Sequence, residues 1–308
     1  MGDRAWLDAH GVDSPTALAG RLDATGYLAD AGLATAAFLA LRMGRPLFCE
    51  GEAGVGKTSL AQALATLLDV PLIRLQCYEG IDAAQALYDW DFPRQLLHLR
   101  AAESAGVHGV MRDGVHDTER LETELYDRRF LVARPLLRAV ETGPAVLLID
   151  EVDRADDEFE AYLFELLAES AVTIPELGTR RAAVPPVAVL TSNRTRDLHD
   201  ALKRRCLYHW IGYPDVERVA AIIRRRVPAA GGWLAEQVAG AVARLRGLDL
   251  AKPPGVAEAI NWATALHVLG APDLDASAAE RTLGAVLKYA EDGEVVHAAG
   301  LARVVGGG

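Results

Sequence analysis

At 308 residues, 51% of them hydrophobic, the chain has enough apolar material for one or two domains with a core of ordinary size. Its net charge of −11 argues against a duplex-binding surface, because nucleic-acid phosphates are held by clustered Lys and Arg, and no nucleic-acid partner is expected. No apolar run approaches the ~18–20 residues of a membrane span, and Met1-Gly2-Asp3-Arg4 opens no signal peptide, so a cytoplasmic protein is expected. Cys49, Cys77 and Cys206 form no C-x-x-C pair, and two of them fall in predicted strands, which reads as reduced core thiols. The histidines show no metal spacing; His108 and His116 sit in a Gly-rich loop and read as solvated.

In chain order, residues 1–30 are Ala- and Gly-rich with weak periodicity. A helix is predicted from about Leu28 to Met43. Just ahead of it, Gly26-Tyr27-Leu28 reads equally as a base contact or a plain turn. Pro46-Leu47-Phe48-Cys49 is a short buried strand. Gly51-Glu52-Ala53-Gly54-Val55-Gly56-Lys57-Thr58 follows, then a helix with Leu60, Leu64, Leu67 and Leu68 on one face. Leu72 to Cys77 is a second strand, and strand–helix–strand with short joints implies a parallel sheet with a right-handed crossover. The third strand, Ala145 to Ile149, is wholly apolar, as a strand covered on both faces should be. More residues separate strands two and three than one crossover helix needs, so an insertion is expected around 79–134. It holds a helix from Pro93 to about Ala105, a polar loop (Gly106 to Thr118) and a helix near Glu119–Tyr126. Arg134-Pro135 then starts a helix that ends at Gly143. Asp156 caps a helix carrying Phe159, Leu163, Leu166 and Leu167. A hairpin follows over Val172–Val184, turning at Glu176 to Arg180. Val187 to Leu190 is a strand running into Thr191-Ser192-Asn193, and a last short strand covers Leu207–Ile211. After Gly212-Tyr213-Pro214 all is helical: Asp215–Arg226, Trp233–Leu245, Val256–Leu269 and Ser277–Ala290.

The segment Gly51 to Thr58 fits G-x-x-x-x-G-K-[ST], a phosphate-cradling loop. At average residue frequencies a chain this long matches that pattern by accident on the order of once in a hundred, and only four lysines are present here. Glycines turn backbone N–H groups toward an anion, Lys57 neutralises outer phosphates, and the Thr58 hydroxyl can ligate Mg²⁺ at the start of a helix. The expected nucleotide-binding residues are Glu52, Ala53, Gly54, Val55, Gly56, Lys57, Thr58 and Ser59, with Asp150. Thr58 and Asp150 are the expected Mg²⁺ ligands. Asp150-Glu151 closes the third strand, so Glu151 can orient the attacking water. Asn193 ends the adjacent strand, within reach of the γ-phosphate or that water. Arg204 and Arg205 lie well beyond; an arginine supplied from a neighbouring subunit would stabilise charge on the transferring phosphoryl group. No N-K-x-D segment is present and Asn193-Arg194-Thr195-Arg196 is only a partial echo of it, so ATP is preferred over GTP.

The order of phosphate loop, Asp-Glu strand, Asn-ended strand, basic pair and helical tail resembles the AAA+ ATPases. The phosphate loop itself, the hairpin before Asn193, and Tyr213-Pro214 resemble the MoxR branch. Three segments are similar to its CoxD-like subgroup, linked to maturation of molybdenum–copper carbon monoxide dehydrogenase: Leu75 to Asp82, Asp89 to Leu97, and Arg204 to Trp210. The resemblance implies a hexameric ring, a helical lid, a partner with a von Willebrand factor A domain, and a metalloenzyme client remodelled for cofactor insertion. One departure matters. Relatives carry an arginine near the start of a lid helix that touches the γ-phosphate; here Lys252-Pro253-Pro254-Gly255-Val256-Ala257-Glu258 has none, so either Lys252 substitutes or the contact is missing.

The expected fold is thus α/β: a parallel-sheet P-loop core with helices on both faces over 1–212, and an all-helical lid over 213–308. The expected activity is ATP hydrolysis driving a chaperone. The rivals are a chelatase-type motor subunit and a nucleotide-gated adaptor with weak turnover; a small-molecule kinase is disfavoured, because the tail offers no second substrate site.

Overall fold

The computed structural model describes residues 5–104 and 124–306. The chain enters through α1 (Pro15–Ala24), whose cap Ser14 accepts a hydrogen bond from the Ala17 amide at 3.1 Å. Helix α2 (Ala31–Met43) is capped by Asp30, which accepts from the Leu33 amide at 2.7 Å, and stops at left-handed Gly44. There follow β1 (Leu47–Gly51), α3 (Lys57–Leu67) and β2 (Leu72–Gln76). The insertion contains α4 (Ala83–Ala86), β3 (Tyr88–Trp90), α5 (Phe92–Ser104) and β4 (Leu131–Ala133). Strands β3 and β4 pair antiparallel, closing the insertion at its base. The core continues with α6 (Pro135–Glu141), β5 (Val146–Asp150) and α7 (Asp157–Glu169). A hairpin, β6 (Ala171–Ile174) and β7 (Gly178–Arg181), precedes β8 (Val187–Ser192), α8 (Asp200–Arg205) and β9 (Leu207–Ile211). The rest is helical: α9 (Val216–Arg226), α10 (Gly232–Arg246), α11 (Val256–Val268), α12 (Ala276–Val286), α13 (Ala290–Ala299) and α14 (Leu301–Val305).

The central sheet runs β2-β5-β8-β1-β9 with every pairing parallel. Because side chains alternate along a strand, two cores form. Leu47, Cys49, Val146, Leu148 and Val189 face α1, α2 and α3. Phe48, Ile73, Leu75, Leu147, Ile149 and Leu190 face α6 and α7. A third cluster, centred on fully buried Trp262, belongs entirely to the helices after Pro214. No helix among the described residues is long and apolar enough to cross a membrane.

The strands expected from the sequence are present, and the fold is the expected parallel α/β core followed by helices. Four differences stand out. Helix α1 was not foreseen, because only Leu18 and Leu22 give it an apolar face. The β3–β4 pair was not foreseen either, its three-residue strands being too short for alternation to show. In the hairpin the turn comes earlier than expected, and Gly178 to Arg180 belong to its second strand. The helix expected over Ser277–Ala290 ends at Val286, and two more helices follow. The chain leaves the helix at Leu287, which is extended (φ −95°, ψ 153°). On α13, buried Asp292 accepts from the Ala251 amide at 2.7 Å and the Lys252 amide at 3.3 Å. The polar loop, its two histidines and most of the helix expected near Glu119–Tyr126 lie outside the described residues.

Candidate functional site: a nucleotide cleft

The site grows out of strand alternation. Val146, Leu148 and Asp150 share the face of β5 turned toward α3, so Asp150 continues an apolar row straight to Thr58 at the start of that helix. The Thr58 hydroxyl donates to Asp150 at 3.0 Å. Asp150 is 3% exposed and also receives the Thr191 hydroxyl at 2.5 Å and an Arg74 guanidinium nitrogen at 2.6 Å. Hard oxygen donors meet here, the chemistry Mg²⁺ prefers.

The loop from β1 to α3 turns at Gly54 and Gly56, both at positive φ, the latter serving as N-cap of α3. Lys57 is buried, and its ammonium donates to the Gly51 carbonyl at 2.6 Å and the Glu52 carbonyl at 2.7 Å. Burial holds Lys57 below the ordinary lysine value, while Asp153, Glu52 and Asp150 oppose that shift. A bound polyphosphate would supply the anion this ammonium lacks.

Glu151, one residue past the strand, adopts a left-handed backbone (φ 54°, ψ 49°), a strained choice for a residue with a Cβ, costing about 1–2 kcal/mol. Its amide is held by donation to the Thr191 hydroxyl at 2.9 Å. The carboxylate is fixed from several sides: Gln76 donates to it at 3.0 Å, Asn193 at 3.3 Å, and Arg154 pairs with it at 3.0 Å. Asp153, 2% exposed, accepts from the Asn193 amide at 3.2 Å and the Thr195 amide at 2.8 Å. It thereby fixes the end of β8 beside Glu151. Backbone strain therefore falls on a carboxylate oriented from several sides, an arrangement that suits orienting a water molecule.

Two connected cavities result. One, of about 320 Å³, is lined by Gly54, Lys57, Thr58, Asp150, Glu151 and Asn193, among others. The other, of about 400 Å³, is lined by Gly26, Tyr27, Leu28, Ile211, Tyr213 and Ile222, among others. The first suits phosphates and the second a base, so Gly26-Tyr27-Leu28 line a cavity where a nucleoside would sit. Helix α9 closes it: Arg218 donates to the Leu28 carbonyl at 2.7 Å, and Arg225 pairs with Asp23 on α1. Helix α11 docks on the phosphate loop itself. The Val256 amide donates to the Gly54 carbonyl at 2.9 Å, and a Cβ on Gly255 would lie 2.9 Å from both the Ala53 carbonyl and Gly54 Cα.

Of the residues expected from the sequence, Gly54, Lys57, Thr58, Asp150, Glu151 and Asn193 come together, with Ala53, Gly56 and Ser59 lining the same cavity. Val55 lines the base cavity, and Glu52 contributes its carbonyl to Lys57. Arg204 and Arg205 do not join them. Both are exposed and precede β9, whereas the cleft lies at the carboxyl ends of the strands. Arg45 donates to both their carbonyls, and the Arg205 guanidinium lies over Phe164, 5.6 Å from the ring centre. Lys252 does not line the cleft; its amide is held by Asp292. Thr195 and Arg196, part of the partial guanine-type echo, are tied down to Asp153 and Glu160.

Sequence reasoning missed Arg74, Gln76, Thr191 and Asp153. Arg74 and Gln76 carried a faint signal, as polar residues alternating with apolar ones in β2, which sits beside β5. Thr191 and Asp153 carried none.

Residues 31–184, half of the chain, match the model of the AAA ATPase domain. Among solved structures, two variant forms of RuvB from Thermotoga maritima are similar. One has 18% identity and TM-score 0.46, covering 82% of this chain and 67% of that one; the other has 16% identity and TM-score 0.47, covering 88% and 70%. A further Thermotoga maritima structure, the RuvB Holliday junction branch migration motor, shows 16% identity and TM-score 0.44 over 86% and 68%. These are loose likenesses and no conclusion rests on them. The family match over the phosphate loop and β5, set beside the joining of Lys57, Thr58 and Asp150 in one cleft, identifies the chain as a member of the AAA ATPase family.

Proposed function

We propose that this chain is a Mg²⁺-dependent ATPase that works as a ring-forming molecular chaperone of the MoxR kind. The observation that carries the ATPase reading is the meeting of Lys57, Thr58, Asp150, Glu151 and Asn193 around one cavity that opens into a base-sized one. In this reading the amides of the phosphate loop and Lys57 bind the β- and γ-phosphates, the ammonium leaving the Gly51 and Glu52 carbonyls for the anion. Thr58 and Asp150 would hold Mg²⁺, which neutralises charge on the phosphates when bound. Glu151 polarises the attacking water, kept in place by Gln76 and Asn193. Asp153 is a positioning residue, acting through the end of β8.

The finer reading rests on resemblance. Leu75 to Asp82, Asp89 to Leu97 and Arg204 to Trp210 support the CoxD-like subgroup. A hexameric ring, a partner with a von Willebrand factor A domain and a metalloenzyme client, such as a molybdenum hydroxylase, follow from that. The division at about residue 212 into core and lid is part of the same proposal. Steady-state ATPase assays test the core of it, and proteins retained by a Glu151→Gln trap, identified by mass spectrometry, test the client. A protein without ATPase activity under any of these conditions would overturn the motor.

A nucleotide-gated adaptor with weak turnover is the second reading. It is favoured by the start of α11, which presents Val256 and Ala257 to the phosphate cavity and carries no arginine of its own. Turnover that stays negligible with every co-purifying partner added would select it.

A further inference from the structure

The start of α11 presents Val256 and Ala257 to the phosphate cavity, and neither side chain can hold an anion. Lys252, the sequence-level substitute, does not line the cleft. Another cation does. Arg226, the last residue of α9, lines both cavities, and it shares this position with Gly56, Ser59, Val256 and Ile260. These residues mark the neck where the base cavity meets the phosphate cavity.

The other cations around the cleft are already engaged. Lys57 donates to loop carbonyls, Arg74 to Asp150, and Arg218 to the Leu28 carbonyl. On the same last turn of α9, Arg224 pairs with Glu236 at 3.1 Å and Arg225 pairs with Asp23. Arg226 is exposed, and among the described residues no hydrogen bond or ion pair engages its guanidinium. An arginine at the neck of a phosphate site, with no partner among the described residues, suits an anion that arrives with the ligand. Its planar fork can donate two parallel hydrogen bonds to phosphate oxygens.

The geometry points to Arg226 as a substrate-binding residue that grips the inner phosphates of a nucleoside di- or triphosphate. The inner phosphates are those that must lie at the neck when the base fills one cavity and the γ-phosphate reaches Glu151 in the other. This rests on the ATP-site reading above and adds which phosphates the lid recognises. Since ADP and ATP share those phosphates, Arg226 ties lid closure to the presence of either nucleotide and not to the γ-phosphate.

The test compares parent, Arg226→Gln and Arg226→Lys proteins by titration with ATP and ADP, and by steady-state ATPase. Arg226→Gln should weaken ATP and ADP by the same factor, roughly tenfold for a charge-assisted contact, and raise the KM for ATP by a similar factor. Arg226→Lys should recover part of the loss. Thermal unfolding without nucleotide should be the same in all three, because among the described residues no hydrogen bond or ion pair depends on Arg226. Arg224→Gln, on the same turn but paired away from the cleft, should bind like the parent. Equal affinities in parent and Arg226→Gln overturn the assignment. A loss confined to ATP also overturns it, by moving the contact to the γ-phosphate. A parent protein that binds neither nucleotide overturns the ATP reading itself, a result that cannot be confused with the other two.

Discussion

At the scale of single residues, the cleft separates binding from chemistry. Lys57 donates only to loop carbonyls, and in the proposed reading it turns to phosphate. Lys57→Ala should therefore abolish binding of a fluorescent ATP analogue while the circular dichroism spectrum stays that of the parent; an unchanged affinity would remove Lys57 from the site. Glu151→Gln keeps the side chain's size and loses the charge that polarises water. ATP should still bind, and turnover should fall by roughly 10²-fold or more. Parent-like hydrolysis by this variant would mean that another group is the base. The thiols give a pH prediction. Burial pushes Cys49, Cys77 and Cys206 each up to about 12. Above the ordinary thiol value near 9, the unfolded chain loses these protons and the folded one keeps them. Stability should accordingly fall between about pH 9 and 12, by about 1.4 kcal/mol per unit for each thiol. Lys57, held low by burial, acts in the opposite sense. Burial also holds Tyr27, Tyr88, Tyr208 and Tyr213 above the ordinary phenol value, which adds to the fall at the alkaline end. Urea melts at pH 8, 9 and 10 measure the slope, and Cys206→Ala should make it shallower.

At the scale of elements, the active geometry depends on two short registers. Alternation along β5 sends Asp150 toward α3, and the parallel pairing of β5 with β8 sets Thr191 and Asn193 beside the end of that strand. The docking of α11 on the phosphate loop is the second. Gly255 has an ordinary extended backbone (φ −86°, ψ −168°), so alanine would be conformationally tolerated there. Its Cβ would nevertheless meet backbone atoms of Ala53 and Gly54 at 2.9 Å, and backbone cannot swing aside as a side chain can. Gly255→Ala should push α11 off the loop and weaken ATP binding several-fold, with helix content preserved. Titration beside circular dichroism checks it, and parent-like affinity would show that this contact is not needed for binding.

At the scale of the molecule, β9 spans five residues, roughly 16 Å at ~3.3 Å per residue, between Arg205 at its start and the cleft level at its end. An arginine side chain cannot cover that distance within its own subunit. If Arg205 acts, it acts on a neighbour, so each site would take Lys57 and Glu151 from one subunit and Arg205 from the next. Specific activity should then rise with protein concentration. Arg205→Ala mixed with Glu151→Gln should also regain activity, because a mixed ring contains interfaces with neither lesion. ATPase measured across a dilution series, with light-scattering mass, followed by titration of one variant into the other, decides it. Flat activity with no recovery would leave Arg205 as a surface residue stacked on Phe164.

The phosphate loop, the apolar β5 ending in Asp150-Glu151 and the Asn-ended β8 were all legible in the sequence. Each is a local pattern whose chemistry requires particular residue types at fixed spacing. The same holds for α2, α3, α7 and the first helices after Pro214, which carry clear caps or apolar faces. What the sequence could not show was set by contacts between segments far apart in the chain. Arg74 reaches Asp150 only because β2 lies beside β5, and Asp153 holds Asn193 only because β8 lies on its other side. Asp292 on α13 meets the amides of Ala251 and Lys252 only because the fold brings the two segments together. Arg226 carried no signal of its own in the sequence; only the fold set it between the two cavities. Local spacing specified which groups could do phosphate chemistry, and tertiary packing decided which of them meet, because a hydrogen bond or a cavity wall depends on distance in space and not along the chain.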